Sequence, residues 1–243
     1  MTATVASADR DPRVRWHGYA DAGDWAEGIA HAIAEGLRVD LAGRERARLL
    51  LSGGRTPAPA YAALSRRVLP WDRVDVGLVD ERWLRPDDPD SNTLLVRRAL
   101  LQDRAGAARF EEMTRIGRSL DDAVHAANLH ARRPPGVVTL GMGDDGHTAS
   151  LFPGMRALDA ALADPRAYVA VDASGCAVAA QWTRRISLTP AGLAPAPLRL
   201  LLLRGEAKRT VFERALGDGD IRALPIRIAL QPGDPPLHVH WCP

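Results

Sequence analysis

Apolar positions recur along the chain with two periods, one helical and one extended. Across residues 22–39, Trp25, Ile29, Ile33 and Leu37 repeat every four residues, which predicts an amphipathic helix. Residues 48–51 are a short apolar strand that stops at Ser52-Gly53-Gly54. Residues 57–68 then read as a helix, with proline placed in its first turn, where it is tolerated. Residues 74–79 form a second strand, stopping at Asp80-Glu81-Arg82. Residues 92–101 and 119–132 read as helices, the latter offering Ala123, Ala126, Ala127 and Leu129 for packing. Residues 137–140 are a third strand, 155–163 a helix and 168–171 a strand. Residues 185–188 make a short strand closed by Thr189-Pro190, 198–203 the most apolar strand of the chain, and 206–216 a helix. Residues 225–230 fit neither period, 237–241 read as a final edge strand, and 85–91 and 232–236 as loops. Strands alternating with helices predict a largely parallel sheet covered on both faces. No repeat, low-complexity tract or composition shift interrupts it. The expectation is one α/β domain over residues 1–243, with the polar residues 1–12 frayed.

Composition narrows the class. Apolar residues make up 46% of the 243, enough for a sizeable core, and the formal net charge is only +2. Lys208 is the only lysine among 32 basic residues, and the arginines are interspersed with acids. That distribution describes solvated faces rather than a nucleic-acid patch. No apolar run reaches the 18 residues of a membrane span, and the polar start lacks the apolar segment of a signal peptide. Cys176 and Cys242 form no CxxC pair and fit a reduced, cytoplasmic protein. No HExxH or comparable spacing is present, so neither a metal nor another cofactor is expected.

Candidate chemistry lies at the strand ends. The turn Ser52-Gly53-Gly54-Arg55-Thr56-Pro57 puts small residues ahead of a helix N-terminus, a natural anion cradle. It lacks the Gly-Lys-Ser/Thr ending of a P-loop, and it would serve equally as an ordinary strand-to-helix turn. Asp80-Glu81-Arg82 needs the rim of the sheet, either as substrate ligands with Arg82 as an anion clamp or as a solvated turn. Residues 141–146 (GMGDDG) match the dinucleotide fingerprint, but Pro153-Gly154 arrives too soon for the long helix that motif requires. Asp144, Asp145 and His147 are also too polar for it, so a non-nucleotide active site is the better reading. His147 is the one histidine of seven delivered by a glycine-rich strand end. His31, His125 and His130 lie in helices, and His238 and His240 alternate on the last strand. Lys208, in the first turn of its helix, would complete a phosphate site.

Taken in order, the segments LSGGRTP (51–57), DER (80–82), DSN (90–92), LGMGDDGHTASLFPG (140–154), RISLTP (185–190) and GEAK (205–208) resemble the 6-phosphogluconolactonase family. That family belongs to the wider glucosamine-6-phosphate isomerase/deaminase-like superfamily. Its pattern carries proline where Asp144 stands and threonine where Ser187 stands. The deaminase relatives have GHIAFNEPG where this chain has GHTASLFPG, and its lack of their glutamate favours the lactonase. The resemblance implies a Rossmann-like, doubly wound sheet with helices on both faces. It implies hydrolysis of 6-phospho-D-glucono-1,5-lactone to 6-phosphogluconate, without nucleotide or metal. It further implies that His147 is the general base, and Asp145 is placed to orient it. Ser52, Gly53, Gly54, Thr56, Arg82, Arg185 and Lys208 are then the phosphate ligands, with Arg184 an alternative to Arg185. The amides of Gly143 and Gly146 are candidate oxyanion donors. The expected partner is a small sugar-phosphate lactone, with no nucleic acid or membrane, and the expected assembly is a monomer or weak homodimer. The competing readings are a sugar-phosphate isomerase or deaminase, a non-catalytic sugar-phosphate sensor, and, on the glycine match alone, a nicotinamide oxidoreductase.

Overall fold

A computed structural model describes residues 11–243. Of the segment expected to fray, residues 1–10 lie outside the described residues. Asp11 is held by its carboxylate, which accepts from the backbone and guanidinium of Arg13.

Seven strands form one parallel sheet. In chain order they are β1 (Val14–Gly18), β2 (Ala47–Leu51), β3 (Val74–Leu78), β5 (Arg109–Phe110), β6 (Val137–Leu140), β9 (Leu198–Arg204) and β10 (Leu237–Cys242). Their spatial order is β1-β10-β9-β6-β2-β3-β5. From β2 the chain first builds outward through β3 to β5, then returns to the other side of β2 and builds through β6 and β9 to β10. Right-handed crossovers run in opposite directions on the two halves, so their helices cover opposite faces. The strand order reverses between β2 and β6, and the crevice beyond their C-terminal ends is where such sheets bind ligands.

Three short strands, β4 (Asp80–Arg82), β7 (Tyr168–Asp172) and β8 (Arg184–Leu188), form a separate antiparallel sheet in the order β4-β8-β7. It is tied to the large sheet through Val79, whose N–H donates to the Leu51 carbonyl and whose carbonyl accepts from Leu188. The sequence reading placed residues 80–82 at the rim of the sheet, as substrate ligands or a solvated turn, and did not anticipate this second sheet.

The helices are α1 (Ala22–Gly43), α2 (Ala58–Ser65), α3 (Asn92–Ala99), α4 (Leu120–Ala131), α5 (Leu158–Ala163), α6 (Pro190–Leu193) and α7 (Glu206–Leu216). Caps fix several starts: Asp21 accepts from the N–H groups of Gly23 and Asp24, Ser91 from Thr93 and Ser119 from Asp122. The predicted stripe of α1 is buried, with Trp25, Ile29, Ile33 and Leu37 almost inaccessible. In α4 the packing falls to Ala123, Val124 and Ala127, while Leu129 is 43% exposed. Residues 225–229 form a 3-10 turn.

The final strand was expected at an edge. β10 instead lies between β1 and β9, in parallel register with both (Val14↔Leu237↔Arg199). The polar alternation of β10 faces covered rings. His17 stacks on His238 and His240, with centroids 5.2 and 4.5 Å apart, and the Tyr19 hydroxyl lies 2.8 Å from His240 Nδ1.

At the N-terminal ends of β2 and β3 the sheet carries buried charge. Arg48 Nε donates to Glu111 at 2.8 Å with both side chains nearly inaccessible, and Arg46 donates to buried Asp75. Among the described residues no group of three or more His, Cys, Asp or Glu is placed to hold a metal ion, both cysteines are free, and no helix is long and apolar enough to cross a membrane.

Candidate active site

A cleft of about 600 Å³ opens at the reversal point between β2 and β6. Its walls come from the turns after β2 and β6, the rim of the small sheet and the start of α7. Segments far apart in sequence thus converge there, and they include every predicted phosphate ligand: Ser52, Gly53, Gly54, Thr56, Arg82, Arg185 and Lys208.

The β2 turn rests on a buried hydroxyl network. Ser52 N–H donates to Thr139 Oγ1 at 2.9 Å, and the Tyr61 hydroxyl donates to the Ser52 carbonyl at 2.9 Å. The same hydroxyl lies 3.2 Å from Ser52 Oγ, and burial pushes its pKa up to about 12, so it keeps its proton. Gly53 packs against Asn92 so closely that a Cβ would fall 2.0 Å from Asn92 Oδ1. Asn92 in turn donates to the Asp80 carbonyl at 2.9 Å.

The three charges after β3 have separate fates. Glu81 is buried and anchors α3, accepting from the N–H groups of Arg82, Asn92 and Thr93 and from the Ser91 hydroxyl. Burial lifts its carboxyl above the usual range despite these donors. Glu81 is a structural group and not a substrate ligand. Asp80 accepts from Ser150 Oγ at 2.6 Å and lies 3.9 Å from Arg185. Arg82 donates to the Asp90 carbonyl, while its Nε is buried with no hydrogen-bond partner beside the cleft.

Antiparallel pairing of β4 with β8 sets Arg82 opposite Arg185. Arg185, not Arg184, lines the cleft, because alternate residues of β8 face opposite ways. Its guanidinium donates to the carbonyls of Trp182 and Ala179 and lies 5.1 Å over the Phe152 ring. Phe152 also supports the His147 ring, at a centroid distance of 4.5 Å.

The turn after β6 presents His147. Its Nδ1 lies 2.6 Å from Asp145 Oδ1, and the same oxygen accepts the His147 N–H at 3.1 Å. Burial raises the Asp145 pKa, but the hydrogen bond and charge of His147 outweigh it and hold the carboxyl below its usual value. With Asp145 on Nδ1, Nε2 is the nitrogen left to exchange a proton with a reactant. The loop past His147 is fixed by the buried Ser150, whose N–H donates to Ser187 Oγ. No helix follows the glycines: residues 148–151 form a tight bridge, and α5 begins only at Leu158. That geometry removes the reason for a dinucleotide reading.

One assignment needs correction. Gly143 N–H donates to the His147 carbonyl and Gly146 N–H to the Gly143 carbonyl, each at 3.0 Å. Amides committed to loop hydrogen bonds have no proton to offer an oxyanion, so Gly143 and Gly146 shape the loop instead. Asp144 faces Lys208 at 3.4 Å, a contact with no counterpart in the sequence reading. Sequence reasoning also missed Asn92, Ser150 and Phe152. The apolar pattern gives no signal for side chains whose work is to hold other side chains.

The family model described as glucosamine-6-phosphate isomerases/6-phosphogluconolactonase matches residues 20–241. A 6-phosphogluconolactonase of Xylella fastidiosa is 48% identical over 234 residues, covering 96% of this chain and 98% of that one. One of Pseudomonas aeruginosa is 39% identical over 228 residues, 93% of each chain. The crystal structure of a 6-phosphogluconolactonase from Shewanella baltica superposes with a TM-score of 0.85 at 32% identity, covering 95% of this chain and 98% of that one.

Proposed function

Because the chain belongs to the glucosamine-6-phosphate isomerase/6-phosphogluconolactonase family, we propose that the cleft at its strand reversal carries out the reaction named by its relatives. The protein hydrolyses 6-phospho-D-glucono-1,5-lactone to 6-phosphogluconate. The observation that carries the catalytic assignment is the 2.6 Å His147–Asp145 pair at the edge of a cleft lined by Arg82, Arg185 and Lys208.

In this reading the sugar phosphate lies across the cleft. The β2 turn, with Ser52, Gly53, Gly54 and Thr56, and the charges of Arg82 and Lys208 take the phosphate. Most recorded donors of Arg185 point into the protein wall, so it acts chiefly by shaping that wall and by its charge. Remote binding of this kind holds the lactone carbonyl beside His147. Nε2 of His147 removes a proton from water as the water oxygen bonds to C1. Collapse of the tetrahedral intermediate breaks the bond from C1 to the ring oxygen, which takes the proton back from His147. A carboxylic acid and a hydroxyl result, His147 is returned to its neutral form, and the acid then loses its proton to solvent to leave the carboxylate. Asp145 holds the imidazole in one tautomer and stabilises its charged form. A lactone carbonyl is already electrophilic, so a positioned base suffices. One core joins residues from β1 to β10, which supports reading the chain as a single domain.

The test generates the lactone in situ and follows its loss with and without protein. No acceleration would overturn the reading. His147→Ala should lower kcat by roughly 10²–10⁴-fold and leave binding of 6-phosphogluconate, measured by calorimetry, largely intact.

A further inference from the structure

Two carboxylates line the cleft, and they are partnered differently. Asp80 is built into the wall, accepting from Ser150 and Asn92. Asp144 is 82% exposed, and its recorded partner is Lys208 Nζ at 3.4 Å. The same ammonium donates to the Met142 carbonyl. The sole lysine of the chain, which the proposed function gives to phosphate, is therefore already engaged by an acid of its own. We propose that Asp144 is a built-in competitor for Lys208, weakening the hold of the cleft on phosphate and favouring release of the phosphorylated product.

The proposal rests on the reading of Lys208 as a phosphate ligand, and it adds a residue that reading does not use. A phosphate dianion reaching Nζ competes with the Asp144 carboxylate for the charge of the same ammonium. An exposed pair contributes little to folding, so its effect falls on affinity. Hydrolysis also adds a charge: the lactone carries only its phosphate, whereas the product carries a new carboxylate as well. Asp144 adjoins Asp145, which pairs with His147, so the competing acid sits on the turn that presents the base.

Calorimetric titration with inorganic phosphate and with 6-phosphogluconate, on protein without lactone, tests this apart from turnover. Asp144→Asn, an isosteric surface change, should bind both probes about three- to tenfold tighter, as loss of one screened charge contact allows. Under turnover it should lower KM without raising kcat. Lys208→Met should weaken both probes, and adding Asp144→Asn to it should restore nothing. Wild-type affinity in Asp144→Asn overturns the proposal and, if Lys208→Met still binds weakly, leaves the phosphate reading standing. A gain from Asp144→Asn that persists without Lys208 shows a general charge effect and overturns the competition. Wild-type affinity in Lys208→Met overturns both.

Discussion

Gly143 shows how closely the reacting histidine is fitted to its turn. A Cβ built at this position would lie 2.1 Å from His147 Nδ1 and 2.6 Å from Asp145 Oδ1. Gly143→Ala should therefore push the imidazole off its carboxylate while leaving the sheet untouched. A displacement of about 1 Å costs on the order of 10²-fold in rate. Steady-state kinetics should show that loss in kcat, with the unfolding midpoint and phosphate affinity close to wild type. At this scale the sequence was informative where chemistry demands a rare residue type. A lone histidine after a glycine-rich strand end and a lone lysine at a helix start both stand in the cleft. It was silent on hydrogen-bond partners, because whether Gly143 N–H is free or bonded depends on the fold of the loop. The same limit hid the contact between Asp144 and Lys208, two residues 64 positions apart that only the fold brings within 3.4 Å.

Among elements, the β1–β10 pair carries the clearest pH dependence. His17, His238 and His240 stack together, and all three have pKa values pushed down by burial, that of His240 to about 3. Neighbouring charge adds to this at His238, where His17 and Arg15 also oppose protonation. His240 Nε2 is buried without a hydrogen-bond partner. A folded-state pKa below the unfolded value means that the unfolded chain binds more protons. The contribution of these groups is complete above about pH 6.5 and is lost as pH falls towards the folded values. The buried His240 costs up to about 1.4 kcal/mol per pH unit within that window, and the half-exposed His17 and His238 less. Urea unfolding at pH 7.5, 6 and 5 should show this decline, and His240→Phe should flatten it. The alternation that makes 237–241 read as an edge strand arises here, because a polar face ordinarily means water. In β10 that face packs instead on His17 of β1 and on Tyr19 just beyond it. Strands β4 and β5 escaped the sequence reading because two or three residues are too short to show a period.

Over the whole molecule, stability and chemistry draw on different residues of the same strands. Arg48 and Ser52 belong to one run of chain, yet the strand rise of ~3.3 Å per residue separates their backbones by roughly 13 Å. The buried Arg48–Glu111 pair packs beside Gly77 on a face of the sheet, and neither residue lines the cleft. Glu111→Ala strands a buried guanidinium and should lower unfolding free energy by about 3–5 kcal/mol, with KM and kcat unchanged. Denaturant titration and kinetics on one preparation check both halves. The layered α/β class was legible from alternating strands and helices. The strand order was not, since periodicity records which residues are buried but not which strands are neighbours.

That order makes the sheet depend on the timing of synthesis. β1 leaves the ribosome more than two hundred residues ahead of β10, its one strand neighbour among the described residues. At roughly 5–20 residues per second, β1 waits for tens of seconds with an unpaired edge, and the apolar flank of β9 is uncovered until the same moment. Deleting residues 237–243 should therefore do more than trim a margin. It leaves β1 permanently without a neighbour, and the shortened chain should accumulate in the insoluble fraction on expression, which a sedimentation assay of the lysate would show.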